Sequence, residues 1–182
     1  MIIIGIAGPA GVGKDTLADI LVECHGYKKR AFADPLKDML RAGFGMTEEE
    51  LTTGKELRFR NSVATVREMM QTLGTEWAQK VLGQHVWVDV MDTYIKTNSP
   101  ELLVIPDVRF MHEARWLRRR GACIVHMRGR GGIGKSHVSE QGIVPKLWER
   151  FVDNSLEGEH HLHREAIAIL DEIDERGPIY EH

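Results

Sequence analysis

The sequence predicts an α/β fold: a three-layer arrangement of helices around a central parallel sheet. Three observations carry this. Ile2–Ala7 and Leu102–Pro106 are short, almost wholly apolar runs, as strands covered on both faces require. The segments between and after them repeat their apolar residues at helical spacing, so strands alternate with helices and the crossovers are right-handed. The first run also ends in glycines that open straight into a helix.

Taken in order, Ile2–Ala7 is the first strand. Thr16–Cys24 follows as a helix, with Leu17, Ile20, Leu21 and Cys24 on one face and Gly26 closing it. Lys29–Ala33 is a weaker second strand. Asp34 caps the next helix, Pro35 suits its first position, and the helix runs to about Ala42. Thr47 with Glu50, and Thr65 with Glu68, are capping boxes ahead of two more helices. The second of these spans Val66–Leu73, stops at Gly74 and resumes over Thr75–Leu82. Val86–Ile95 suits a strand at its start, but Met91, Tyr94 and Ile95 favour a helix.

Asp107 ends the strand Leu102–Pro106. A helix over Met111–Arg120, a strand over Ala122–Arg128, a glycine-rich loop over 129–144, a strand near Phe151–Asn154 and a helix over Leu162–Glu175 complete the chain. There is no internal repeat and no low-complexity linker. The 182 residues read as one domain, with a helical insertion at about 45–98 and a lid-like loop at about 128–144.

Hydrophobic residues make up 42% and charged residues 28%, and the formal net charge is -3, the balance of a soluble globular chain. A dedicated nucleic-acid binder is usually strongly basic, so that partner is not expected, nor is a membrane. No apolar stretch approaches the ~20 residues that cross a bilayer, and the N-terminus lacks the basic start of a signal peptide. A cytoplasmic location is expected. Cys24 and Cys123 read as two reduced, buried thiols. A homodimer is compatible with the sequence, which leaves oligomeric state open.

Two segments approach the phosphate-binding pattern G-x-x-x-x-G-K-[ST]. Gly129 to Ser136 matches it letter for letter, whereas Gly8 to Asp15 has Asp15 where Ser or Thr is usual. Context selects the first. A phosphate loop works because backbone amides, a helix N-terminus and a lysine converge on one anion, which needs a strand before and a helix after. Only the first segment has both. In the second, Gly142 and Pro145 follow too soon for a helix, leaving either a surface hairpin or a flap whose Arg130 and Lys135 close over phosphates.

Roles follow from this choice. Gly8, Gly11 and Gly13 let the backbone wrap phosphates, and Lys14 reaches the β- and γ-phosphates of ATP. Asp15 offers Mg²⁺ a hard carboxylate, while Thr16 either bonds a phosphate or supplies the metal's hydroxyl. Asp107 stands at a strand end, where an acidic residue of a phosphate-loop enzyme lies near the metal, and Arg109 is placed to reach a phosphate. Asp34 binds an acceptor or takes its proton, or serves only as a helix cap. Arg58, Arg60 and Arg67 are candidates for an acceptor phosphate, because arginine forks match phosphate oxygens. Gln71, four residues after Arg67, lies on the same helix face and suits a base edge. Trp77 and Trp87 suit either base stacking or a core. His160, His161 and His163 lack the partners of a zinc site and read as solvated surface, and Arg118-Arg119-Arg120 reads as the cationic end of a helix.

The motifs Gly13-Lys14-Asp15-Thr16, Phe32-Ala-Asp34-Pro-Leu-Lys37, Arg67 to Gln71 and on to Trp77, Asp107-Val-Arg109-Phe, and His137-Val-Ser-Glu140 occur in that order. In this order they resemble the phage-type deoxynucleoside monophosphate kinases, a branch of the adenylate-kinase-like phosphate-loop proteins. The resemblance spans the N-terminus to about Asn154. It implies ATP- and Mg²⁺-dependent phosphoryl transfer to a deoxynucleoside monophosphate. It assigns Lys14, Asp15 and Thr16 to ATP and metal, Arg67 and Gln71 to the acceptor, and 128–140 to a lid. Beside these, Lys37, Arg58, Trp77 and Glu140 are expected acceptor contacts, Asp107 an expected metal ligand, and Asp34, Arg109 and Arg128 the expected catalytic set with Lys14. Two readings remain beside it: a kinase of another small phosphorylated metabolite, such as dephospho-coenzyme A, and an ATP-binding switch.

Overall fold

The computed structural model describes residues 1–129, 142–155 and 159–176. Its elements are β1 (Ile2–Ala7), α1 (Lys14–His25), β2 (Lys28–Lys29), α2 (Asp34–Phe44), α3 (Glu48–Leu51) and α4 (Val66–Gln71). A π-helix (Thr72–Leu82), α5 (Val86–Asn98), β3 (Leu102–Val108), α6 (Met111–Arg119), β4 (Cys123–Gly129), β5 (Arg150–Asn154) and α7 (Glu159–Arg176) follow. The chain forms two compact units: residues 1–31 with 93–182, and residues 32–92. Helix α5 carries the chain from the second unit back to the first.

The first unit is the α/β unit. Its five strands lie in the order β2-β3-β1-β4-β5, and every pairing is parallel. Parallel strands covered on both faces must be apolar throughout, which is why β1 and β3 read as unbroken hydrophobic runs. Ile4, Ile6, Val104, Val125, Met127 and Val152 of the sheet pack with Leu17 and Leu21 of α1 and with Ala166 and Ile169 of α7. Each fully buried aliphatic side chain of this kind contributes roughly 1.5–3 kcal/mol of transfer free energy.

Several boundaries differ from the sequence-based expectations. β3 runs past Pro106, so Asp107 lies inside the strand. The β1–β3 register slips between Gly5 and Ala7, opposite Pro106, and β2 has already ended there. The missing proline N–H therefore costs no ladder bond. β2 is only two residues long. One further bond, Arg30 N–H to Val104 O at 3.1 Å, holds the chain before it leaves the sheet. Cys24 is exposed and Cys123 half-buried, with no disulfide between them. In the last turn of α1 it is Val22, and not Cys24, that packs on the core.

The cationic run does close α6, and two of its arginines have specific partners. Arg118 is 3% exposed and bonds Glu149, while Arg120 lies 4.2 Å from the Trp116 ring centroid. On α7, His161 is half-buried and shares a 2.9 Å hydrogen bond with the Asp153 carbonyl.

The second unit is helical. Both expected capping boxes are present: Thr47 accepts from Glu50 N–H, and Thr65 from Glu68 N–H. Gly74 does not stop a helix. α4 instead widens into the π-helix that contains it, and the Trp87 indole N–H donates to the Gly74 carbonyl at 2.8 Å. Residue 74 is buried, and a Cβ there would lie 3.2 Å from Leu36 Cδ2, so a larger residue would push that side chain aside. Ala33, not Asp34, is the N-cap of α2. Asp34 is its first helical residue, where a carboxylate still complements the macrodipole. Among the described residues, no helix is long and apolar enough to cross a membrane.

Candidate active site

The parallel register brings three strand ends together in the first unit. Ala7 pairs with Val108 of β3 on one side and with His126 of β4 on the other. The loop that leaves β1 therefore starts between the carboxyl ends of β3 and β4, where open α/β sheets bind ligands. Gly8, Gly11 and Gly13 have φ of 150°, 75° and 98°, which L side chains rarely adopt. A Cβ on Gly8 would lie 2.6 Å from the Met127 carbonyl oxygen, so the loop and β4 approach too closely for any other residue. Gly13 is the N-cap of α1 and brings no side chain to its first turn, leaving that turn suited to an exogenous anion.

Lys14 is 9% exposed. Its Nζ donates to Gly8 O at 2.9 Å and to Pro9 O at 2.7 Å, so the ammonium is held inside the ring of the loop. Asp15 is exposed, and Lys29 Nζ stands 3.0 Å from its Oδ1 and 2.9 Å from Asp19 Oδ1. Burial alone would lower the Lys29 pKa, but these two carboxylates raise it, so Lys29 stays charged. No local motif marks Lys29. Thr16 is half-buried.

On β3, Asp107 is half-buried. Beside it stands Glu113, 2% exposed, which accepts from Arg109 N–H at 2.8 Å and Phe110 N–H at 2.9 Å. Burial pushes the Glu113 carboxyl up to about 8, the negative Asp107 pushes the same way, and the two amide bonds and Arg109 oppose them. Glu113 is thus largely protonated at neutral pH and ties down the backbone that carries Arg109. It occupies the N3 position of α6, but Phe110 rather than Ser or Thr precedes it as N-cap, so the capping-box pattern does not find it.

On β4, Arg128 is exposed, with Nε 3.4 Å from Asp153 Oδ2. Its guanidinium lies 5.7 Å from the Phe151 ring centroid. The expected lid contacts Arg130, Lys135 and Glu140 lie outside the described residues.

The other predicted residues belong to the second unit. Asp34 and Lys37 are half-buried, one helical turn apart, with Nζ to Oδ1 at 3.9 Å. Arg58 is exposed and its backbone bridges to Thr65, which brings it beside the start of α4. Arg60 reaches the Phe44 carbonyl at 3.0 Å. Arg67 Nε lies 2.5 Å from Glu56 Oε1. Gln71 ends α4 on the same face as Arg67 and is half-buried. Trp77 is 41% exposed and available for stacking, whereas Trp87 is 8% exposed and is a core residue.

The family profile described as deoxynucleotide monophosphate kinase matches residues 58–160 of this chain. A putative deoxynucleotide monophosphate kinase of Acanthamoeba polyphaga mimivirus is 30% identical, over 77% of this chain and 81% of its own length. The deoxynucleoside-5'-monophosphate kinase of Escherichia phage T5 is 22% identical, over 93% and 96% respectively. Among solved structures, a gluconokinase from Sinorhizobium meliloti 1021 superposes with a TM-score of 0.52 at 12% identity, covering 96% of this chain and 94% of its own. That similarity is one of fold alone.

Proposed function

We propose, from the premise that this chain belongs to the deoxynucleotide monophosphate kinase family, a division of labour for its phosphoryl transfer to a deoxynucleoside monophosphate. ATP is the donor, and its phosphates lie in the loop 8–16. The observation that carries this assignment is Lys14, held by the Gly8 and Pro9 carbonyls within a glycine loop between β1 and α1. Carbonyl oxygens are the weaker ligands for an ammonium, so a triphosphate displaces them and takes the charge-assisted bonds.

The loop's shape suits that ligand. Its glycine positions leave open what side chains would fill, and its amides and α1's N-terminus offer donors without a competing cap. Asp107, Asp15 and the Thr16 hydroxyl are the hard oxygen donors that suit Mg²⁺. When bound, the ion supplies neutralisation of charge on the β- and γ-phosphate oxygens.

The acceptor phosphate is already a nucleophile, so the chain need not supply a strong base, and positioning dominates. Lys14, Arg109 and Arg128 offset charge on the transferred group. Residues 32–92 are assigned to the acceptor: Arg58 and Arg67 with Lys37 for its phosphate, and Gln71, Trp77 and Asp34 for base and sugar. This unit then serves as the acceptor-binding insertion of one kinase domain.

The test is a turnover screen with ATP, Mg²⁺ and each of the four common deoxynucleoside monophosphates and their ribo forms, with Lys14→Ala as control. Diphosphate product that needs an acceptor and disappears with Lys14→Ala supports the assignment. ATP binding without turnover on any nucleotide overturns it and points to another phosphorylated metabolite or to an ATP switch.

A further inference from the structure

Asn154 ends β5, far from the phosphate loop in sequence. It is 2% exposed, and its Nδ2 donates to the Val12 carbonyl at 2.9 Å. A second contact lies on the same amide: a Cβ built on Gly13 would stand 2.6 Å from Asn154 Nδ2. The parallel pairing of Gly129 with Asn154 seats the residue at the end of the β4–β5 ladder. The same edge of the sheet also holds the start of the loop, through the Met127 carbonyl against Gly8.

We propose that Asn154 is a positioning residue of the phosphate loop, which aims the Gly13 amide at the donor's phosphates. The reason is stereochemical. In a trans peptide the carbonyl and the following N–H point in opposite directions. Anchoring the Val12 oxygen in the β5 edge therefore turns the Gly13 N–H the other way, out of the sheet edge. The Val12 side chain is wholly buried, and a buried carbonyl needs a partner in any case. Asn154 meets that need in the one orientation that leaves the next amide as a phosphate donor. The close approach at Gly13 is thus set by the asparagine as well as by any ligand.

The inference rests on the reading that residues 8–16 bind the phosphates of ATP, and the test separates the two. Asn154→Leu is near-isosteric and removes the donor, and Asn154→Ala removes the whole amide. Neither adds charge, so repulsion of ATP does not enter. Folding is checked by circular dichroism and thermal melting, and if the leucine variant does not fold, the alanine variant decides. ATP is titrated calorimetrically in Mg²⁺ buffer without acceptor, and the acceptor KM is measured separately at saturating ATP. Expected is at least tenfold weaker ATP binding in a folded variant, with the acceptor KM within twofold of the parent protein.

A folded variant that binds ATP as the parent does overturns the assignment to Asn154 and leaves the loop reading intact. Equal loosening of ATP and acceptor also overturns it, because that is a general structural effect. A parent protein that binds no ATP overturns the loop reading, and this inference with it.

Discussion

Arg118 of α6 and Glu149 form a doubly hydrogen-bonded ion pair across 31 residues of sequence. Nε reaches Oε1 at 2.7 Å and a terminal nitrogen reaches Oε2 at 3.0 Å. Both side chains are 3% exposed. His126 of β4 and the Lys146 amide complete the shell of Glu149, each at 2.8 Å. The cluster ties the segment before β5 to the helix and strand beside it. Removing one partner of such a pair leaves an uncompensated buried charge. Glu149→Ala is therefore expected to cost about 3–5 kcal/mol in urea unfolding, whereas the paired apolar replacement Arg118→Met with Glu149→Leu costs much less.

The same carboxylate sets a pH dependence. Burial pushes Glu149 up, but the bonds from His126, Arg118 and the Lys146 amide outweigh it and hold the group at about 2, below its ordinary 4.5. A depressed carboxylate stabilises the fold fully above the unfolded pKa and loses that contribution as pH falls through the folded one. Unfolding free energy should thus decline between about pH 4.5 and pH 2. Glu149→Gln, less stable at neutral pH, should lack that share of the decline. Denaturant titrations at pH 6, 4 and 3 measure both slopes, and parallel curves would refute the assignment.

Two glycines with similar backbone strain separate packing from conformation. Gly26 has φ 73° with nothing within 4 Å of a Cβ, whereas Gly13 has φ 98° and meets Asn154 Nδ2 at 2.6 Å. Gly26→Ala is expected to cost roughly 1–2 kcal/mol, the left-handed penalty alone. Gly13→Ala should cost more and should also weaken ATP binding, which Gly26→Ala leaves unchanged. Thermal melts paired with ATP titrations compare them.

Glu113 offers a test of backbone positioning beside Asp107. Glu113→Gln keeps a neutral acceptor for the Arg109 and Phe110 amides and should retain most turnover. Glu113→Ala strands both amides, at about 1–3 kcal/mol for each buried group left unsatisfied. It should lower kcat more than either KM. Equal activity of the two variants would show that the amide bonds do not matter to the reaction.

On the acceptor side, Arg67→Ala should raise the acceptor KM about tenfold or more, since hydrogen bonds to charged groups contribute about 1.5–3 kcal/mol. The ATP KM should stay near that of the parent protein. Steady-state kinetics with each substrate varied in turn read this directly, and a shift confined to ATP would move Arg67 to the donor side.

Much of this was legible locally. The apolar run Ile2–Ala7, the glycines after it and the helical spacing from Leu17 identify the strand–glycine loop–helix that opens the chain. The capping boxes at Thr47 and Thr65 were readable because both partners sit within one helical turn. The widening of α4 at Gly74 was not. Glycine has low helix propensity and reads as a stop, but here the Trp87 indole of α5, the next helix, takes the Gly74 carbonyl and the turn continues.

By itself, then, the sequence determined most of the elements, the strand–helix alternation of a parallel sheet and the glycine loop between β1 and α1, because each is written in neighbours a few residues apart. Only the tertiary structure decided that Arg118 is a buried ion-pair partner, that Glu113 holds the backbone of Arg109, and that Asn154 holds the Val12 carbonyl. Asn154 and Arg118 act across tens of residues or more. Glu113 sits locally, but its burial and its protonation are set by the sheet packed around it. No periodicity encodes such contacts, since they exist only once the parallel ladder has brought distant strand ends side by side.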